Sequence, residues 1–365
     1  MSSSNSYYYS LLDKPRQQAY HAMKEGFSAI SPGFSVPRFS MRELSDIFFM
    51  LRLDHPELFY CVSFRCKGYP QADSLLLEPE YLFPKAKIQE HAKALEARIR
   101  KLIRPAERLD ETGKEQFIHD FICTNVRYDK LKKPYSHEII GPLTQGVGVC
   151  EGIAKTVKIL CDRLGLWCVI ALSDANPEKK IKYRHTWNVL RVGKSYCHLD
   201  ATFDNSLGKG GMVRYDYYNL DDARFFRDHE PVIWPVPACT DNRLSYYQQA
   251  RLSLTRAEDV RKRAARFAKK GQTFVFHWRG GYLTREVLTE LLTLVETEAT
   301  AAGRHALISL NWPQAVLCIR FCDEIPGENL LAEEANEGEN PAEESETAAG
   351  RCSLARGSET PERID

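Results

Sequence analysis

The sequence predicts an α+β protein, with a mostly helical N-terminal region and a small α+β appendage near the other end. Three observations carry this reading. A glycine-rich stretch turns abruptly at Cys150 into an apolar stripe of helical period. Strand-like segments follow, two of them joined by Gly193-Lys194, the length of a two-residue hairpin loop. Residues 255–322 then form a separate pattern of helix, strand, helix and two strands.

In chain order, residues 15–31 and 40–53 read as helices. Pro15 suits a first helical turn, and Ser40 with Glu43 has capping-box spacing before an apolar stripe. Residues 58–66 alternate as a strand, and after a turn-rich stretch a long polar helix covers 84–103. A further helix over 113–126 places Phe117, Phe121 and Ile122 on one side. Residues 130–148, with Pro134 and Pro142, are loop-like. The helix from Cys150 carries Ile153, Val157, Leu160, Cys161 and Leu164 on one stripe, and Gly165 ends it. Strands are expected at 167–172, 183–192 and 196–202, followed by a Tyr- and Pro-rich wrap. In the appendage, helices 257–269 and 284–300 alternate with strands 273–278, 305–310 and 315–321, a pattern that fits half of a split βαβ sandwich. The expected division is 1–110, 111–250, 251–322 and a tail at 323–365.

Composition narrows the class. A hydrophobic fraction of 43% against 27% charged residues supplies a core and fits a soluble globular protein. The net charge of +1 hides a tail of 13 acidic residues and 3 Arg, net −10, too poor in apolar side chains to fold and expected to be disordered. The positive remainder is scattered rather than massed, so neither a nucleic-acid nor a membrane partner is expected. Eleven irregularly spaced cysteines do not form a disulfide framework. The start lacks a signal-peptide pattern, and the apolar run at 47–53 is short and broken by Arg52. A reduced, cytoplasmic protein follows, and the pattern sets no oligomeric state.

Candidate chemistry begins at Cys150, in Gly146-Val147-Gly148-Val149-Cys150-Glu151-Gly152. A thiol at a helix N-terminus meets unsatisfied N–H groups and the positive end of the macrodipole, which favour the nucleophilic thiolate. The same N–H groups can contribute to an oxyanion hole. A small buried core residue fits the segment equally well, and Cys161 and Cys168 read as such.

With Gly193-Lys194 as the loop, Val192 faces Ser195 and Trp187 faces Asp200. His185 and Asp200 then form a diagonal pair on one face, within side-chain reach. A carboxylate in that position fixes the imidazole tautomer and stabilises its cation, as a base serving a thiol requires. An odd loop or a bulge would separate the two, and Lys194 suits a positive φ poorly. His198, two residues before Asp200, is the alternative base. Gln145 is a candidate second oxyanion donor, against the simpler reading of a solvated loop residue.

The runs GVGVCEGIAKTVKILCDRLGL, RHTWNVL and YCHLDATFDN resemble the transglutaminase-like superfamily, over about residues 113–235. The resemblance implies a papain-like core, a central helix packed on an antiparallel sheet. It carries over Cys150 as nucleophile, His185 as general base and Asp200, not Asp204, as its orienter. Trp187 and Asn188 fall on the family's Trp-Asn, with Trp187 expected beside the triad; Asp204 would cap the following turn. Thr186 stands where Ala is usual and Phe203 where Trp is usual, departures that leave the substrate pocket open.

Weaker signals read as structure. Cys318 and Cys322 suggest a metal clip with Cys352, but their spacing is wrong for a zinc knuckle and no His is near. Cys61 and Cys66 read as core. Tyr7-Tyr8-Tyr9 is either a docking arm or an unstructured start. The functional expectation is acyl transfer at an amide of a peptide or protein substrate through a thioester, most simply as a peptidase or amidase, with neither metal nor organic cofactor. The alternatives are a protein-glutamine transamidase and a non-catalytic binding module on the same fold.

Overall fold

The computed structural model describes residues 6–69, 71–179, 181–208 and 211–324. The acidic-tail reading, apart from its first two residues, and Cys352 lie outside the described residues. No described helix is long and apolar enough to cross a membrane.

The chain opens on a helical turn, α1 (Tyr7–Leu11), which docks on the core: Tyr8 is buried and its hydroxyl donates to Ile170 O at 2.5 Å. Asp13 caps α2 (Lys14–Ser28) by accepting from Arg16 N. Ser40 and Glu43 close the reciprocal box that starts α3 (Met41–Asp54). The helices are joined by an antiparallel sheet ordered β1 (Phe34–Pro37), β3 (Ser74–Tyr81), β2 (Cys61–Lys67), of which the sequence suggested one strand. β2 begins at Cys61 rather than 58 because Pro56–Leu58 form a 3-10 turn. Pro79 sits in the middle strand at Phe64, beyond the last β1 pair at Leu77, where its missing N–H costs no ladder bond to β1. The polar helix α4 (Lys85–Ile103) turns Ile88, Leu95, Ile99 and Ile103 inward.

The central unit runs from α5 (Glu111–Asn125), capped by Asp110, to α6 (Cys150–Leu164). The loop-like stretch between them holds helical turns at Pro134–His137 and Gly141–Gln145. A parallel pair, β4 (Arg127–Tyr128) with β5 (Val147–Gly148), also lies there. Gly165 adopts φ 76° and lets Leu166 N return to Cys161 O, closing α6.

An antiparallel sheet then forms in the order β6 (Cys168–Ser173), β7 (His185–Val192), β8 (Ser195–Leu199), β9 (Tyr218–Leu220). Its register pairs Val192 with Ser195 and Asn188 with Leu199, the expected register as far as the residue before Asp200. Of the two loop residues only Gly193 has a positive φ, as a type II′ turn needs, and Lys194 is unstrained. The third strand ends at Leu199, earlier than expected. Asp200 instead caps a short helix, α7 (Ala201–Leu207), and α8 (Asp222–Phe225) follows β9.

One apolar core runs continuously from Ala19 to Tyr218, so the N-terminal helices and α6 share it. On the other sheet face, Trp187, Val189, Phe203, Tyr217 and Phe225 form an aromatic layer.

After α9 (Tyr246–Gln249) comes a mixed sheet with its own core. Its order is β10 (Ser253–Leu254), β11 (Phe274–Trp278), β13 (Val316–Cys322), β12 (His305–Asn311), packed by α10 (Ala257–Lys270) and α11 (Arg285–Ala301). Cys318 is buried in β13. The β12–β13 turn reaches back to the central unit: Asn311 Nδ2 donates to Asp216 at 3.0 Å, and Gln314 Nε2 donates to Arg224 O and Asp228, each at 3.2 Å.

Candidate active site

Cys150 is the first residue of α6 and only 3% exposed. A strap over 129–136 holds the approach to it: Val149 N donates to Ser136 O, Asp129 N donates to Gly148 O, and Ser136 Oγ donates to Asp129. The strap needs Gly152, because a Cβ there would lie 2.1 Å from Ser136 O.

His185 opens β7 and is 5% exposed. Its Nε2 donates to Asp200 Oδ2 at 2.5 Å, while Nδ1 is enclosed without a hydrogen-bond partner. The ring is in electrostatic contact with the Cys150 sulfur. For Cys150, burial alone would raise the thiol. The contact with His185 and its charge outweigh burial, Thr186 adds a hydroxyl and a backbone N–H, and the thiol is held below its ordinary value. Burial likewise opposes the His185 cation, but Asp200 and then Cys150 overcome it and lift the imidazole to about 10. Lowering the thiol while raising the imidazole favours a thiolate beside an imidazolium, a nucleophile with a transferable proton.

Asp200 has no freedom to turn. Oδ1 accepts from Thr202 N at 2.9 Å and Phe203 N at 3.1 Å as the cap of α7, and Oδ2 faces His185 and, at 3.0 Å, His229 Nε2. Burial would raise its carboxyl, but the two imidazoles hold it far below the usual range.

Trp187 lies beside His185, rings 6.0 Å apart and nearly parallel, and Asn188 pins β7 to α6 through Ala154 O. Gln145 is exposed and its amide turns to Thr144 Oγ1.

His198 does not serve Cys150. Its Nδ1 accepts from Trp187 Nε1 at 3.0 Å and its Nε2 donates to Asp222 at 2.8 Å; burial lowers its pKa. It shares the Trp187 face, as the sequence placed it, but stands opposite Val189, farther along β7 from His185, and stacks on Phe225, 4.2 Å away. Asp204 joins His119 Nε2 at 3.1 Å and accepts Tyr217 N, tying α5, α7 and the β9 approach together.

Three features escaped the sequence reading. His229 carried no local signal. Thr186 stood out only as a departure from Ala. Behind Cys150, the third is a buried cluster of charges: Arg52 bonds Glu138 and Glu151, and Lys155 bonds both carboxylates at 2.8 and 2.7 Å. Burial would raise Glu151, but Lys155 and Arg52 hold it well below its ordinary value.

Two groups bring metal-ligating atoms within 4.8 Å of one another among the described residues: His185, Asp200 and His229, and His198, Asp222 and Cys239. In the second, the indole can only donate, so His198 Nδ1 carries no hydrogen and Nε2 must, leaving no lone pair for an ion. In the first, both Nε2 atoms are committed to one oxygen of Asp200.

Residues 98–201, which include all three of Cys150, His185 and Asp200, match the transglutaminase-like superfamily. No curated protein matches the chain. Among solved structures, one similar chain is a TGase, 10% identical with a TM-score of 0.27 over 39% of this chain and 44% of that one. Another is a putative cysteine protease from Cytophaga hutchinsonii, 15% identical with a TM-score of 0.25 over 42% of this chain and 65% of that one. The chain therefore spans less than two thirds of either structure. By the sequence match, and with the Cys150 helix packed on its antiparallel sheet, the protein carries a transglutaminase-like superfamily domain.

Proposed function

We propose that this protein is a cysteine enzyme that cleaves or transfers acyl groups at an amide bond of a peptide or protein, most simply as a peptidase or amidase. One observation carries the reading: a buried thiol held low by an imidazole that is itself raised to about 10 on a fixed carboxylate. The Cys150 thiolate attacks the carbonyl carbon, and the first-turn N–H groups of α6 receive the oxyanion. The carbon–nitrogen bond breaks, the His185 proton passes to the leaving amine, and a thioester remains. Water, with His185 now as base, releases the acid; an amine in its place gives transamidation. A cytoplasmic setting belongs to this reading, supported by ten free cysteines among the described residues.

The test is labelling of the intact protein with a peptide acyl electrophile, read by mass spectrometry. Cys150 is expected to react far faster than Cys161, and Cys150→Ala to abolish turnover of a peptide library. Equal labelling of both thiols, with turnover unchanged in the variant, would overturn the reading. A fluorescent primary amine separates the outcomes: incorporation identifies the transamidase, free acid the hydrolase. The enclosure of Cys150 and His185 favours a second reading, a binding module whose thiol never meets substrate; it predicts no acyl adduct with any peptide that binds.

A further inference from the structure

His185 is not the only imidazole on Asp200. His229, in the segment after α8, places Nε2 3.0 Å from the same Oδ2 and Nδ1 3.0 Å from Asp228 Oδ1, so both ring nitrogens face carboxylate oxygens. Its ring is clamped, stacked on Phe225 at 3.8 Å and against Phe203 at 4.6 Å, with its side chain 1% exposed. Asp228 is held in turn. Its Oδ2 accepts from Tyr217 at 2.6 Å, and its Oδ1 accepts from Nε2 of Gln314, a fully buried residue in the β12–β13 turn. An unbroken run of polar contacts therefore leads from the C-terminal sheet through Gln314, Asp228, His229 and Asp200 to His185.

We propose that His229 is a positioning residue: sharing Asp200 with His185, and steadied by Asp228 and Gln314, it lets the C-terminal unit set the carboxylate on which the Cys150–His185 pair depends. This rests on the enzymatic reading of the same site. The physical reason is that one oxygen serving two donors must lie on the line both accept. Oδ1 is fixed by Thr202 and Phe203, so His229 is the contact that fixes the plane of Oδ2 against rotation about the cap. The titratable groups facing this point are His185 from β7, Asp200 from the start of α7, and Asp228 beside the ring, with the Tyr217 hydroxyl behind it.

The experiment compares His229→Leu, His229→Gln and Gln314→Leu in the full chain, following iodoacetamide alkylation of Cys150 against pH. The second readout is the downfield proton resonance of the His185 Nε2–H. Gln keeps an amide donor where the ring nitrogen stands; Leu does not. His229→Leu is expected to slow Cys150 alkylation at neutral pH about tenfold, to raise its pH midpoint and to move the His185 resonance, with His229→Gln restoring most of each. Gln314→Leu is expected to act in the same direction by about threefold. An unmoved midpoint and resonance in folded His229→Leu would overturn the proposal. So would a Gln variant as impaired as the Leu variant. Should His229→Leu not fold, an unmoved resonance in Gln314→Leu decides against it. Cys150 labelling no faster than Cys161 in the unaltered protein would count against the enzymatic reading alone, because the resonance still reports the coupling.

Discussion

Gly152 lies so close beneath Ser136 that a Cβ on it would stand 2.1 Å from the Ser136 carbonyl oxygen. Since Ser136 O also receives Val149 N, the contact fixes the strap at the residue before Cys150. Gly152→Ala is expected to cost about 1–3 kcal/mol, the scale of overpacking in a tight core, and to slow alkylation of Cys150. Urea unfolding with thiol labelling checks both; wild-type values for each would show that the strap gives way freely.

The thiol of Cys150 is lowered and the His185 imidazole raised to about 10, so their ion pair holds between those two limits. Alkylation is expected to turn on below the ordinary cysteine range. In His185→Gln only Thr186 is left to oppose burial and the thiol should move upward, lowering the neutral-pH rate on the order of 100-fold. A rate profile over pH 5–10 on both proteins makes the comparison.

Asp200 serves two tasks through different oxygens, and substitution separates them. Asp200→Asn keeps an oxygen for Thr202 N and Phe203 N but turns an amide toward two imidazoles; Asp200→Ala loses the cap as well. Both are expected to lose rapid Cys150 alkylation, and only Ala to lose about 1 kcal/mol of cap stability in addition. Thermal unfolding beside labelling resolves the pair, and an Asn variant that labels at the normal rate would remove Asp200 from the chemistry.

Glu115 is fully buried; burial lifts its carboxyl to about 7 despite the Asn219 amide and the Tyr218 hydroxyl beside it. A folded value above the unfolded one gives stability that is present in acid and lost as pH rises through 7. Glu115→Gln removes that loss. Its stabilising effect should grow by about 2 kcal/mol between pH 5 and pH 8, as chemical denaturation at the two pH values measures. A pH-independent difference would place the Glu115 carboxyl outside this titration.

Arg52 comes from α3 yet bonds Glu138 and Glu151 behind the nucleophile. Arg52→Met leaves the two buried carboxylates to Lys155, with the His137 ring on Glu151, and is expected to cost about 3–5 kcal/mol. Adding Glu138→Gln should recover part of it. Denaturation midpoints of the single and double variants read the coupling, and strictly additive losses would argue against a shared network.

What the sequence revealed follows from how local each signal is. The Cys150 helix was legible because its apolar period and Gly165 lie within one element. The His185–Asp200 pairing was legible because a two-residue loop leaves one register. The cap at Asp200 was hidden because Ala201–Leu207 is barely two turns and continues an alternating strand pattern. β1 and β3 were hidden because one is four residues long and the other holds a proline, so only their partners define them as strands. His229 could not be read at all: it reaches Asp200 through the path of the segment after α8, which no periodicity encodes.

The hydrogen bond from Tyr8 to Ile170 closes a loop of 162 residues and seals α1 onto the β6 edge of the sheet that carries His185. Contacts so distant along the chain form late and slow a fold that depends on them. On a ribosome, α1 can meet Asp54 of α3 early, but the Tyr8 hydroxyl must wait for β6 before it has its acceptor. The segment that matches the superfamily, made in isolation, would expose the wall that Tyr8 covers. A productive fragment must include Tyr8, well before residues 98–201, which match the superfamily.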